Sequence, residues 1–241
     1  MMNYNIEKFE KGLDELNISL TDKQIEQFLS YYELLIEWNS FMNLTAITDF
    51  DEVIEKHFLD SLSLVKAYDL SKECKVIDIG TGAGFPGIPL KIAFPHLEVT
   101  LLDSLNKRIN FLNEVKEKLA LANLETLHGR AEDYAKLGKK RELYDLCVSR
   151  AVANLSTLSE LCLPYVKVGG RFISYKSEKI KEESIAATNA IRILGGEVEK
   201  QVEFTFTEEE IYRNLFVIKK VGSTPKKYPR KAGLPGKEPL V

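Results

Sequence analysis

The chain has 241 residues, 44% of them hydrophobic and 29% charged, with 33 Lys+Arg against 36 Asp+Glu for a formal net charge of -3. This is a soluble globular composition, and its length fits one large domain or a domain with an appendage, since domains usually run about 100 to 200 residues. No apolar run reaches the roughly 18 residues that cross a bilayer, and Met1 to Glu10 alternate polar and apolar, unlike a signal-peptide core. The expected place is the cytoplasm, with no membrane partner and a monomer as the favoured state. Cys74, Cys147 and Cys162 lack Cys-x-x-Cys spacing, and with only His57, His96 and His128 besides, no metal site is expected. Averaged over the chain, the acidic balance also argues against a nucleic-acid partner.

Residues up to about Tyr68 read as helical. Thr21 to Gln24 forms a Thr-x-x-Gln capping box, and Ile25, Phe28, Leu29, Tyr32, Leu35 and Ile36 behind it share one helical face. After Asp51 a second amphipathic run carries Ile54, Phe58, Leu62 and Val65, with Asn43 to Thr48 as the polar link between the two. Tyr31, Tyr32, Trp38 and Phe41 can stack on a base, but several fall on the apolar stripe and core packing is the favoured reading.

From Lys75 short β-branched runs alternate with helical ones. The pattern predicts strands at 76–79, 99–102, 124–127, 143–148, 171–175, 198–206 and 215–220, and helices near 88–93, 105–121, 155–165 and 178–194. Such alternation implies an α/β fold with a mostly parallel sheet covered on both faces. The last two strands are joined by a short connection and should pair antiparallel at the sheet edge. Residues 222–241 carry Pro225, Pro229, Pro235 and Pro239 among lysines and almost no apolar periodicity, which predicts an extended tail or a strap over the body. The expected organisation is a helical N-terminal extension (1–70), an α/β domain (71–221) and a basic Pro-rich tail (222–241).

The most informative segment is Val76-Ile-Asp-Ile-Gly-Thr-Gly-Ala-Gly-Phe-Pro-Gly87. After the first strand of a parallel sheet, it sets a turn at the carboxyl edge, where open α/β sheets bind ligands. Gly82-x-Gly84-x-x-Gly87 satisfies the dinucleotide fingerprint, a weak signal alone. The form Asp78-x-Gly80-x-Gly82-x-Gly84 fits S-adenosylmethionine better, with Asp78 offering a negative charge to a cofactor that has an amino group, a sulfonium and no phosphate. Asp103 ends the next strand, where an acid can accept both ribose hydroxyls of either cofactor. Arg130-Ala131-Glu132-Asp133 follows the third strand, where a backbone amide and a carboxylate can grip an adenine edge. Each carboxylate alone can be a helix cap or a surface acid; three in register at successive strand ends favour a nucleotide site. The fourth strand runs into Arg150, a candidate ligand contact. Neither the Asn/Asp-Pro-Pro-aromatic turn of exocyclic-amine methylation nor a Pro-Cys nucleophile is present, and Cys147 reads as a small core residue.

Taken together, Asn43-Leu-Thr-Ala-Ile47, His57-Phe-Leu-Asp-Ser61, the glycine loop, Leu102-Asp-Ser-Leu-Asn-Lys-Arg108, Arg130-Ala-Glu132, Ser149-Arg-Ala151 and Thr224-Pro-Lys-Lys-Tyr-Pro-Arg-Lys231 span nearly the whole chain in order. In them the sequence resembles the bacterial 16S ribosomal RNA guanine-N7 methyltransferases, the family also called glucose-inhibited division protein B. The resemblance implies a Rossmann-like class I methyltransferase that uses S-adenosylmethionine to methylate N7 of a guanine in 16S ribosomal RNA, free or in the small subunit. It also implies cofactor contacts at Gly80, Phe85, Ala131, Glu132 and Arg150; Gly82, Gly84 and Asp103 are added from the physical reading. Where relatives often have Leu, Phe85 offers an equally apolar wall.

Guanine N7 has a free lone pair and no proton to lose, so this chemistry needs no general base and no catalytic residue is assigned. Arg150 is expected to face the cofactor carboxylate, a backbone carbonyl or guanine O6 rather than N7, and His57 to serve as a structural hydrogen bonder. The charge is segregated: residues 219–241 hold seven Lys/Arg and a single acid, Glu238, for +6, leaving -9 on the rest. Lys226, Lys227, Arg230 and Lys231 are therefore candidate RNA contacts, because phosphate contacts follow local rather than total charge. On this reading, removal of 224–241 weakens RNA binding and leaves cofactor affinity little changed.

Overall fold

The computed structural model describes residues 4–150, 153–178, 180–206 and 211–240. Ala151, which ends one of the segments quoted above, and Lys179, inside a predicted helix, lie outside the described residues. The N-terminal part holds α1 (Glu7–Glu15), α2 (Asp22–Met42) and a series of short turns: α3 (Phe50–Val53), a π-helix (Ile54–Leu59), α4 (Asp60–Leu62) and a 3-10 turn (Ser63–Lys66). Both halves of the capping box form at the start of α2, with Gln24 N donating to Thr21 Oγ1 at 3.3 Å and Thr21 N to Gln24 Oε1 at 2.9 Å. The deeply buried face of α2 is Phe28, Tyr31, Leu35 and Met42. Ile25, Leu29, Tyr32 and Ile36 flank it half-buried, while Phe41 is 67% exposed, so the core reading holds for Tyr31 and fails for Phe41.

Seven strands follow: β1 (Lys75–Ile79), β2 (Glu98–Asp103), β3 (Leu124–His128), β4 (Tyr144–Arg150), β5 (Val166–Lys176), β6 (Gly196–Phe206) and β7 (Ile211–Lys220). Their order is β3-β2-β1-β4-β5-β7-β6, with β1 to β5 parallel and β7 antiparallel to both β5 and β6. The helices are α5 (Gly87–Ala93), α6 (Asn106–Lys118), α7 (Ala131–Tyr134), α8 (Leu155–Cys162), α9 (Ile180–Ile193) and α10 (Leu234–Lys237). Chain direction across the sheet reverses between β1 and β4, which opens a crevice at their carboxyl ends. β5 begins five residues before the predicted span, running through Gly169 and Gly170. Gly170 is confined there because a Cβ would stand 2.6 Å from the Asp145 carbonyl; that glycine permits close strand packing ahead of the predicted span.

Each sheet face has its own core. Phe9, Phe28, Tyr31 and Phe58 from the N-terminal helices pack with Val76, Leu101 and Phe111, so these helices share a core with the sheet. The other face packs Ile77, Cys147, Cys162, Phe172 and Phe216 with Tyr228 from the tail.

The tail is a strap held mainly by polar groups. The Arg141 guanidinium donates to the carbonyls of Thr224 (2.5 Å), Tyr228 (2.7 Å) and Pro225 (3.3 Å), which explains adherence without apolar periodicity. Arg230 makes a two-point pair with the buried Glu160 carboxylate. Fully buried Lys220 donates to Leu163 O and Thr224 Oγ1 beside Glu142, and burial lowers its pKa to about 8. Two of the seven cations counted at 219–241 are thus spent inside the fold, and the charge offered to a partner is smaller than the sequence sum.

Candidate functional site

A cleft of about 1170 Å³ opens at the carboxyl edge of the sheet, over the β1/β4 switch point. The glycine loop forms its floor. Gly80 and Thr81 donate their amides to Leu102 O at 2.9 and 3.2 Å, and Gly80, Gly82 and Gly84 have φ of 72°, 63° and 101°, backbone that L side chains resist. Gly80, Gly82 and Phe85 line the cleft. A Cβ at Gly82 meets no atom within 4 Å, so the backbone there is bare toward open space.

Gly84 is different. It does not line the cleft, and its Cβ would lie 2.5 Å from Ile88 Cγ1, 2.8 Å from Tyr31 Oη and 3.0 Å from Leu112 Cδ2. It is a packing glycine that lets α2 and α6 close on the loop, not a surface for a ligand.

Asp78 is also turned inward. Its Oδ2 accepts from Thr81 Oγ1 at 2.7 Å and from Gly87 N at 2.9 Å, the carboxylate is fully buried, and burial raises its pKa to about 6. The idea that this charge faces a cofactor amino group therefore fails. The placement still discriminates between cofactors, because a carboxylate on the first amide of α5 already occupies the position where a dinucleotide pyrophosphate would sit.

Asp103 lies where the sequence placed it, at the end of β2 and in the cleft wall. It accepts from Gly82 N (3.0 Å), Leu105 N (2.9 Å) and Arg108 Nη1 (3.2 Å), which fixes the carboxylate rigidly across the loop. A carboxylate has about four acceptor positions, so room remains for a hydroxyl. Ala131 and Glu132 open α7 and line the same cleft. Glu132 Oε1 accepts from the tail amide of Gly233 at 2.7 Å, and Gly233, Pro235 and Gly236 complete that wall. The strap is thus part of the cleft, and the expectation that removing 224–241 spares the cofactor site is not one the geometry supports.

Opposite this wall the cleft is polar. Arg150 Nη1 donates to Asp60 Oδ2 at 2.7 Å and to Lys56 O at 3.3 Å, while Arg213 Nε donates to Asp60 Oδ1 at 2.7 Å. Of the directions expected for Arg150, the backbone carbonyl is the one realised within the chain. The π-helix widens the turn that presents Lys56 and His57, with Asp60 just after it. The His57 ring stacks on Phe85 at 4.5 Å, the Arg150 guanidinium lies over the same Phe85 ring at 5.1 Å, and His57 Nε2 sits 2.9 Å from Thr45 Oγ1. Burial and the Arg150 charge push His57 down to about 4, so it is neutral near pH 7.

The structure therefore brings together Gly80, Gly82, Phe85, Asp103, Ala131, Glu132 and Arg150, and leaves Gly84 in the core. Arg230 is an anchor of the strap on Glu160, whereas Lys226, Lys227 and Lys231 are exposed. Asp60 and Arg213 were not assigned from sequence. The only signal for Asp60 was its place in the quoted segment after His57, and for Arg213 there was none.

The family model described as "rRNA small subunit methyltransferase G" (GidB) matches residues 24–212. A protein of Lachnoclostridium phytofermentans named ribosomal RNA small subunit methyltransferase G is 58% identical over 233 residues, 97% of this chain and 96% of that protein. One of the same name from Bacillus cereus is 52% identical over 236 residues, 98% and 99% of the two chains. Among solved structures, a SAM-dependent methyltransferase of Aquifex aeolicus superposes with a TM-score of 0.54 at 20% identity, covering 73% of this chain and 96% of that one. TrmN of Thermus thermophilus gives 0.52 at 16% identity, covering 70% and 53%. These two share the fold.

Proposed function

The chain belongs to the rRNA small subunit methyltransferase G family, and from that premise we propose that its cleft binds S-adenosylmethionine and methylates N7 of a guanine in 16S ribosomal RNA, in the cytoplasm. The observation that carries the reading is the single cleft in which bare loop backbone at Gly80 and Gly82, the Asp103 carboxylate and the Ala131–Glu132 corner converge. They fit an adenosyl group: backbone for close approach, a fixed acid for ribose hydroxyls, and a carboxylate for an exocyclic amine. Phe85 gives an apolar wall beside it.

S-adenosylmethionine supplies a methyl group made electrophilic by its sulfonium. What the protein contributes is orientation, since N7 has no proton to remove. The residues around the polar half of the cleft agree with this. Both Asp60 oxygens are bound to arginines, which leaves that carboxylate unsuited to proton abstraction. Arg150 is fixed by Asp60 and Lys56 O, and its positive charge is balanced at close range as the methylated base becomes cationic. N7 faces the deep, narrow major groove of A-form RNA, so the target guanine must lie in a loop or be flipped out.

The test is transfer of labelled methyl from S-adenosylmethionine to small-subunit particles and to naked 16S RNA, followed by mapping of the product. Label recovered as 7-methylguanosine is the expected result. Label on a pyrimidine or an exocyclic amine, or none on either substrate, refutes it.

A further inference from the structure

Nothing in the chemistry of methyl transfer requires the C-terminal strap, yet it closes one wall of the cleft. Gly233 stands at φ 83° and donates its amide to Glu132 Oε1 at 2.7 Å. The next turn, α10, buries Pro235, whose carbonyl accepts from Thr157 Oγ1 at 3.0 Å, and Thr157 lines the cleft as well. A Cβ at Gly233 or Gly236 meets no protein atom within 4 Å. Two side-chain-free residues therefore border open space in the wall that also carries Glu132. The segment is pinned from behind by the Arg230–Glu160 pair and by Arg230 Nη2 donating to Glu238 O at 2.7 Å.

Glu132 is 6% exposed, and its two oxygens have different surroundings. Oε1 is held by the strap amide. Among the described residues no protein donor reaches Oε2, yet it is not one of the sealed, unpartnered oxygens, so it keeps access to solvent in a residue that lines the cleft. A carboxylate fixed at one oxygen presents the other as a pure acceptor in a set direction. Such an acceptor suits the exocyclic amine of adenine and opposes the carbonyl of a 6-oxopurine. Resting on the cofactor reading above, we infer that the strap amide of Gly233 is a positioning group for Glu132, and that this pair makes the cleft select the 6-amino purine of its cofactor.

A glutamine at 132 separates positioning from mere contact. With the strap amide in place, a glutamine oxygen must turn toward Gly233 N–H and its NH2 toward the base, where it meets adenine donor to donor and a 6-oxopurine donor to acceptor. Without that constraint the amide would flip and accept from adenine as before. Calorimetric titration of full-length wild type and Glu132→Gln with S-adenosylhomocysteine and S-inosylhomocysteine reads the difference. Wild type should prefer the adenosyl ligand, and Glu132→Gln should reduce the preference ratio by at least about tenfold, the size of one exchanged hydrogen bond. In the wild type, saturating S-adenosylhomocysteine should also slow trypsin cleavage after Lys231 and Lys237, which flank the Gly233–Gly236 wall. A Glu132→Gln ratio equal to that of wild type overturns the inference, as does strap cleavage indifferent to the ligand. Failure of wild type to bind either nucleoside would instead sink the cofactor reading itself.

Discussion

Gly82 and Gly84 sit two residues apart in the loop, both with positive φ, and the structure assigns them opposite duties. Alanine at either should separate these. At Gly82 the new methyl meets no protein atom, so the stability cost is the left-handed backbone alone, about 1 kcal/mol. At Gly84 the same kind of strain is joined by contacts of 2.5 Å to Ile88 Cγ1, 2.8 Å to Tyr31 Oη and 3.0 Å to Leu112 Cδ2. Relieving them moves Tyr31 off the Ala83 carbonyl it holds at 2.5 Å, and overpacking adds roughly 1 to 3 kcal/mol, for a total of about 2 to 4 kcal/mol. At about 2 to 4 °C per kcal/mol for a chain of this size, Gly84→Ala should melt roughly 10 °C below wild type and Gly82→Ala about 3 °C below. Binding should rank the variants the other way: Gly82→Ala places a methyl on bare cleft backbone and should weaken S-adenosylhomocysteine at least about tenfold. Thermal melts and calorimetry on both variants decide it. Equal melting temperatures, or wild-type affinity in Gly82→Ala, would show that the two glycines have not been told apart.

His57 and Asp78 predict an acid dependence of stability with opposing parts. His57 titrates at about 4 in the fold against 6.5 when free, so between those values the unfolded chain takes up a proton that the fold refuses, and stability falls as pH drops through that window. Asp78, raised to about 6, does the reverse between 6 and its ordinary 3.8, gaining stability as pH falls. Urea midpoints should show that His57→Asn loses about 2 kcal/mol less than wild type between pH 7 and 4.5; parallel profiles for the two proteins would contradict the assignment. On the strap, replacing Lys226, Lys227 and Lys231 together by Gln should flatten the salt dependence of RNA binding by about two in the log–log slope, with cofactor affinity unchanged. An unaltered slope would remove these lysines from the RNA interface.

Much of the fold was legible because each strand is short, β-branched and bounded by turn residues, and the parallel core strands β1, β2 and β3 begin and end within a residue of the predicted spans. The antiparallel pairing of the last two strands was also legible from their short connection, but the insertion of β7 between β5 and β6 was not, because local pattern carries no strand order. Asp103, Ala131 and Glu132 could be found since each follows a predicted strand, and a parallel sheet sends all such ends to one edge.

The misreadings share a physical origin. Asp78 and Gly84 belong to the same motif as Gly80 and Gly82, yet a spacing fixes where backbone turns and not which way each residue faces; that depends on Tyr31, Ile88 and Leu112, which come from three other helices. Asp60 joins Arg150 and Arg213 across about 90 and 153 residues of sequence separation, a distance over which no periodicity operates. The strap is the extreme case. It adheres through carbonyls accepting from Arg141 and amides donating to Glu132 and Glu160, and backbone groups are the one part of a residue that its identity does not reveal. A tail rich in proline and lysine therefore looks unattached in sequence while its glycines complete the cleft wall, and the residues that betray its course are the buried acids on the body, Glu132 and Glu160, rather than any in the tail itself.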